Sequence, residues 1–303
     1  MFNCRRRLQL PYSHDSNRLR RLGVFCAGLV LWLTSATVHA QFAGEVPEVA
    51  REFIERVRRL DGESLRMCVY DGGLTARLDR RIAETIGDVL LVNVDIVSIP
   101  SAISVPGIEF VPISEDELYI YLNNDCDGFL GFVLAADVYP DWLTFTRPYV
   151  STTFSVLTTH EGYERLGAFE AGRLIGTTLL SEADLQLLGY NNALSADRRW
   201  RRIPYSFASL LLERLVDGSV DAALMWTPSW AWLQDVGETP TDAVRVISAS
   251  PLTLPTRDLG IILRSNETFI RNALDQAIAA MISFDVLDEL YEEVGFPGSV
   301  PAR

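Results

Sequence analysis

At 303 residues, with 27 basic and 40 acidic side chains and 48% hydrophobic residues, the chain has a globular composition and enough length for one large or two medium domains. Every basic residue is arginine, and the formal charge of −13 argues against a nucleic-acid partner. Without lysine there is no P-loop, Schiff base or lysine general base, and no internal repeat points to a solenoid or propeller.

The first segment is a basic stretch with Arg5, Arg6, Arg7, Arg18, Arg20 and Arg21, then an apolar run from Leu22 to Leu33, then Val38-His39-Ala40. This is the pattern of a secretory leader over residues 1–40 with cleavage before Gln41. The alternative is a membrane anchor, but the run falls short of the ~20 apolar residues that a span needs. Cleavage would leave 21 basic against 39 acidic side chains, a charge of −18, and only Cys68 and Cys126 of the four cysteines. A single pair in an oxidising compartment predicts a Cys68–Cys126 disulfide, with two buried thiols as the alternative; a spacing of 58 residues fits no zinc motif.

Residues 41–63 read as an N-terminal extension, with Val49, Phe53, Ile54, Val57 and Leu60 on one stripe of an amphipathic helix over 47–60. A buried strand over Leu65–Tyr70 follows, then Asp71-Gly72-Gly73 as a turn and a helix over Leu74–Leu90. Leu91–Ile99 reads as a strand, Ser114 and Glu117 as a capping box for a helix through Asn123, and Cys126–Leu134 as a second apolar strand. Leu143–Thr158 is extended and crosses a boundary near Tyr149 to Thr153.

A second series then has strands over Arg173–Leu179, Trp200–Pro204, Val220–Trp226, Val244–Ala249 and Leu259–Arg264. Its helices are Ser181–Leu188, Phe207–Val216 with Ser206 as cap and Gly218 as stop, Asn266–Ser283 and Phe284–Val294. Alternating strands and helices predict an α/β fold with two lobes, each a mostly parallel sheet flanked by helices, and a cleft between them. The expected divisions are lobe 1 over 64–150, lobe 2 over 151–252, and a return to lobe 1 over 253–303.

Four strings, Leu65-Arg66-Met67-Cys68, Cys126-Asp127-Gly128, Trp142 through Tyr149 with Thr146-Arg147-Pro148-Tyr149, and Asp221 through Trp226, occur in the order seen in family 3 periplasmic solute-binding proteins. The chain resembles that family over nearly all of residues 64–295, and most of all its quinoprotein dehydrogenase-associated branch, the MxaJ- and XoxJ-like accessory proteins of methanol oxidation. Ser151-Thr152 and Trp226-Thr227-Pro228 stand where that branch has Ser-Thr and Trp-Gly-Pro. The resemblance implies the type II periplasmic-binding-protein fold and a periplasmic protein without catalytic activity or cofactor. Its partner would be a PQQ-dependent methanol or alcohol dehydrogenase or that enzyme's cytochrome c. A second reading is an ABC-transporter receptor, with a permease and a small-molecule ligand as partners.

Ligands of doubly wound sheets meet the carboxyl ends of strands, so Asp71, Gly72 and Gly73 in lobe 1 and Trp226 to Trp230, including Pro228, in lobe 2 are expected at the cleft. Arg147, Tyr149, Ser151 and Thr152 join them as crossing-segment candidates, and Trp226, Trp230 and Trp232 would share one side if extended. Asp127 and Asp221 read as residues that satisfy backbone amides. The chain departs from amino-acid-binding members of the family at two clamps: Tyr139 stands where they carry an arginine and Trp226 where they carry an acid. His160 is the single histidine beyond the leader and reads as a loop residue, and no nucleophile–base set or metal set forms around it.

Overall fold

The computed structural model describes residues 64–100, 113–135, 139–237 and 239–302; the expected leader, the helix expected over 47–60 and most of the connection after Ile99 lie outside them. Strand β1 (Ser64–Tyr70), helix α1 (Ala76–Leu90), strand β2 (Asn93–Ile99), helix α2 (Glu115–Ile120) and strand β3 (Gly128–Val133) open the chain. Three short strands follow, β4 (Leu143–Phe145), β5 (Val150–Thr152) and β6 (Phe154–Thr158), within the segment read as one extended run. Next come β7 (Leu174–Thr178), α3 (Glu182–Ala193), β8 (Arg201–Tyr205), α4 (Ala208–Val216), β9 (Ala222–Trp226), α5 (Thr227–Val236) and β10 (Arg245–Ile247). Strand β11 (Arg257–Arg264) and helices α6 (Thr268–Ser283) and α7 (Val286–Val294) close it.

Two sheets result. The first has the order β2-β1-β3-β11-β4 with β5 also on β11, and the second the order β10-β6-β9-β7-β8. In each, three strands of a β-α-β-α-β unit are parallel, and a further strand closes them in antiparallel sense, β11 on β3 and β6, which directly precedes its unit, on β9. The sheets are therefore mixed rather than mostly parallel.

Both halves repeat one local device. Asp127 N–H donates to the Arg66 carbonyl while Arg66 N–H donates to Asp127 Oδ2 at 2.9 Å. Asp221 N–H donates to the Leu174 carbonyl while Leu174 N–H donates to Asp221 Oδ2 at 2.7 Å. Each aspartate thus locks the inner strand that follows it to the first strand of its unit, and each carries an arginine, Arg66 or Arg173. A buried backbone N–H must find an acceptor, and these carboxylates supply one where the ladder begins. His160 extends the second of them, with Nε2 3.3 Å from Asp221 Oδ1.

Helix α1 buries Leu78, Ile82, Ala83 and Ile86 on one face, the stripe its spacing predicts. Gly87 lets it reach β2, since a Cβ there would stand 2.6 Å from Val94 Cγ2. The Ser114–Glu117 capping box forms in both directions, but the helix it starts ends at Ile120 and passes into a π-turn over Tyr121–Asp125. Cys126 follows that turn, and a disulfide joins it to Cys68 of β1 with the Cα atoms 5.6 Å apart, inside the range that a bridge requires. Ser206 does not cap α4: Phe207 occupies the cap position with no side-chain bond.

Trp226 ends β9, but Trp230 and Trp232 lie on a helix and not on an extended segment. Pro228 sits in the first turn of α5, where a missing N–H costs nothing, and Trp230 and Leu233 face the core at helical spacing.

Helix α1 ends at Leu91, which adopts φ +57° with its side chain 91% exposed. That left-handed position favours glycine. Leu91→Gly should raise stability by about 0.5–1 kcal/mol in chemical denaturation; a loss of stability would contradict this account of the helix end.

Candidate functional site

The lobes meet where β5 and β11 run antiparallel, with Arg257 paired to Thr152 and Leu259 to Val150. Arg257 is 2% exposed although it carries a full charge. Its guanidinium lies 4.8 Å from the Phe154 ring centroid and 5.1 Å from that of Trp226. Its Nε donates to Glu182 Oε2 at 3.0 Å, and Nη2 donates to the same carboxylate. Glu182 is the first residue of α3 in the second lobe, so the pair ties the crossing strands to that lobe. Trp226 Nε1 donates to Thr152 Oγ1 at 2.8 Å, and Thr152 Oγ1 in turn donates to the Arg257 carbonyl at 3.3 Å. Four residues from four elements thus close around one arginine.

Beside this hinge runs an interlobe groove of about 740 Å³. Lobe 1 contributes Leu74, Arg77 and Leu78 from the β1–α1 corner, α5 contributes Pro228 and Trp232, and Phe296 and Pro297 of the C-terminal tail form the end. The lining holds one arginine, Arg77, against the acids Asp235, Glu292 and Glu293, and Glu293 already accepts from Arg81 at 3.0 Å. Its lining therefore favours a neutral or cationic guest with apolar surface over an anion. The tail is anchored by Ser299, whose N–H donates to the Ser151 carbonyl and whose carbonyl accepts from Ser151 N–H, both at 2.9 Å.

Of the residues expected at the cleft, Pro228 lines the groove, and Asp71 and Gly72 precede it in the same corner as Leu74. Asp71 is exposed and paired with Arg80. Thr152 and Trp226 belong to the hinge, where both are buried, so Trp226 is not an exposed contact. Trp230 is 6% exposed in the core of lobe 2, which corrects its placement at the cleft. Ser151 donates to Asp258 Oδ1. Arg147 is exposed on lobe 1, its backbone N–H donating to Asp275 Oδ1 of α6 at 2.6 Å, and it does not line the groove.

Tyr149 is also corrected: it is fully buried and its hydroxyl donates to Asp79 Oδ1 while accepting from Gly131 N–H at 2.8 Å. Gly131 has φ +87°, and a Cβ there would stand 2.7 Å from Asp79 Oδ2. Thr75 Oγ1 donates to that oxygen at 2.7 Å, and Tyr291 Oη donates to the Tyr149 carbonyl. Burial, only partly offset by the hydrogen bonds from Tyr149 and Thr75, pushes Asp79 up to about 7.

Tyr139, in the clamp position, turns away from the groove. Its hydroxyl donates to the Val133 carbonyl at 2.9 Å, its ring packs on Phe132 and Phe145, and burial pushes its pKa up to about 12. Among the described residues no group of three or more His, Cys, Asp or Glu is placed to hold a metal, and no helix is long and apolar enough to cross a membrane.

Sequence reasoning missed Arg257, Glu182 and Asp79 as site residues. The signal for α5 was present in Pro228 followed by Trp230 and Leu233; nothing local marks Arg257, whose partners are 31 to 105 residues away.

The chain thus forms two lobes, each a β-α-β-α-β unit closed by an antiparallel strand, with a groove at the carboxyl ends of the strands. The fold is that of the two-lobed periplasmic binding proteins. The chain is similar to the second substrate binding domain of a putative amino acid ABC transporter from Streptococcus pneumoniae, at TM-score 0.57 and 11% identity over 75% of this chain and 98% of that one. It is similar to substrate binding domain 2 of GlnP from Lactococcus lactis in an open conformation, at TM-score 0.56 and 12% identity over 77% and 96%. A third likeness is the VFT2 domain of BvgS from Bordetella pertussis, at TM-score 0.52 and 16% identity over 77% and 94%. At such identities the likeness speaks for the fold and not for a ligand. No family model and no curated protein matches the chain.

Two outcomes follow from this geometry. Between about pH 4 and 7 the folded chain keeps a proton on Asp79 that the unfolded chain has released, so this group's contribution to stability is full below pH 4 and is lost as pH rises through 7. Asp79→Asn should remove that decline, seen as a flatter curve of denaturation midpoint against pH; an unchanged slope would contradict the assignment. Glu182→Ala should cost about 2 kcal/mol, less than a fully enclosed pair because the carboxylate is 41% exposed, and adding Arg257→Met should recover most of it. Losses that simply add would mean the two side chains are not coupled.

Proposed function

We propose that the chain is an exported, non-catalytic protein of the solute-binding type whose interlobe groove receives another protein's surface or a weakly polar solute, not an amino acid. One observation carries this: both clamp positions are turned inward, Tyr139 to the Val133 carbonyl and Trp226 to Thr152, and the cation at the hinge is already held by Glu182. An α-carboxylate would have to displace Glu182 from a desolvated guanidinium. The groove's apolar side chains, Leu74, Trp232 and Phe296 among them, suit an aromatic or aliphatic anchor from a partner.

The resemblance of Thr146 through Thr152 and of the Trp226–Pro228 corner to quinoprotein-associated accessory proteins supports a PQQ-dependent alcohol dehydrogenase, or its cytochrome c, as that partner. The leader pattern supports a periplasmic location, and a formal charge of −13 favours a basic partner surface. A second reading, an ABC-transporter receptor, is favoured by the two neighbours described as substrate binding domains.

Affinity capture from periplasm with the tagged full chain separates the two. The accessory role expects a quinoprotein dehydrogenase or its cytochrome to be retrieved, with at least a ~10-fold loss on Trp232→Ser. Recovery of a permease alone, together with a solute that raises the melting temperature, would overturn that role in favour of the receptor.

A further inference from the structure

A second pocket, of about 290 Å³, opens in lobe 2 and shares no lining residue with the interlobe groove. Tyr190 and Leu194 come from the carboxyl end of α3, and Trp200 precedes β8, so the pocket sits at the end of the lobe remote from the Glu182 end of the helix. Its floor is apolar, with Tyr190 half-buried and Trp200 only 7% exposed. The rings of Tyr190 and Trp200 stack with centroids 5.5 Å apart at 20°, and Phe169 and Pro251 complete the walls.

That floor is held rigidly. Asn191, itself 6% exposed, donates through Nδ2 to the Trp200 carbonyl and accepts Trp200 N–H on Oδ1, both at 3.2 Å. Trp200 Nε1 donates to the Phe169 carbonyl at 3.1 Å. The backbone opposite is equally fixed, because Gly167 N–H donates to the Ser250 carbonyl at 2.7 Å and a Cβ on Gly167 would stand 2.9 Å from Pro251 Cδ.

At the rim stand Arg165 and Arg198, both exposed. Neither guanidinium makes a hydrogen bond or ion pair among the described residues; the exposed Asp197 carboxylate beside Arg198 feels its charge without pairing with it. In a chain where acids outnumber arginines 40 to 27, four arginines of lobe 2 are held in ion pairs, Arg173 by Asp221, Arg202 by Asp184, Arg214 by Asp217 and Arg245 by Glu164. Two guanidiniums without a hydrogen bond or ion pair thus line one aromatic-floored cavity. Guanidinium matches a carboxylate in planar, two-point fashion, and the half-buried Tyr190 ring, stacked on Trp200, can offer its outer face to a flat apolar body.

We propose that this pocket binds a small aromatic carboxylate, the ring lying on Tyr190 and the carboxylate held by Arg165 and Arg198. The site is separate from the interlobe groove and needs no opening or closing of the lobes.

Calorimetric titration of the full chain with benzoate, benzyl alcohol and inorganic phosphate tests it. Benzoate should bind, and benzyl alcohol, which keeps the ring and loses the charge, should bind at least ~10-fold more weakly, as should phosphate, which keeps the charge and loses the ring. Arg165→Gln/Arg198→Gln should weaken benzoate at least ~10-fold; since both side chains are exposed and unpaired, the double variant should keep the wild-type near-ultraviolet circular dichroism. No benzoate binding up to ~10 mM, phosphate binding as tightly as benzoate, or a folded double variant that binds benzoate as the wild type does would each overturn the proposal.

Discussion

A buried guanidinium is tolerable only if its charge is met inside the protein, and at Arg257 that requirement organises the junction of the two lobes. The Glu182 carboxylate supplies the opposite charge and the faces of Phe154 and Trp226 supply electron-rich surface, each ring contributing about 0.5–2 kcal/mol when desolvated. Each partner is placed by a different element: Glu182 by the start of α3, Phe154 by the start of β6 and Trp226 by the end of β9. The crossing strands cannot shift without moving the arginine out of this enclosure. This same commitment removes it as a contact for an incoming anion, which is why the hinge bears on function as well as on stability.

The surrounding frame gives that junction its rigidity. Asp127 and Asp221 lock the inner strands of the two units in equivalent ways, and the buried Tyr149–Asp79–Thr75 chain links β5's approach, α1 and the β1–α1 turn behind the hinge. Tyr291 reaches the same place from α7, and Ser299 adds a further backbone pair to β5. The groove is thus built on a side of the molecule where both crossing strands are braced, and its mouth is framed by a C-terminal tail fixed to the hinge.

Much of the frame was legible in the residues. The apolar runs of β1, β3 and β9 and the stripe of α1 gave their periods directly, and the capping box at Ser114 is local chemistry that four residues specify. Asp127 and Asp221 also read correctly, because a carboxylate at a strand start has few other uses. The site was much less legible. Tyr149, Trp226 and Trp230 looked available because large aromatic residues near a strand end suit either a cleft or a core, and only tertiary packing decides between them. Trp226 and Trp232 mislead further, since their spacing also fits a strand until Pro228 is read as a helix start. Arg257 is invisible to any local reading: what makes it special is burial, and its partners come from far along the chain.

The account turns on a hinge arginine that belongs to the protein and not to a ligand. The most direct test is calorimetric titration of the full chain with each standard amino acid, alongside Arg257→Met. The expected result is no binding tighter than ~1 mM for either protein. Micromolar binding of any amino acid that is lost in Arg257→Met would contradict it, because the arginine would then be the clamp for that ligand.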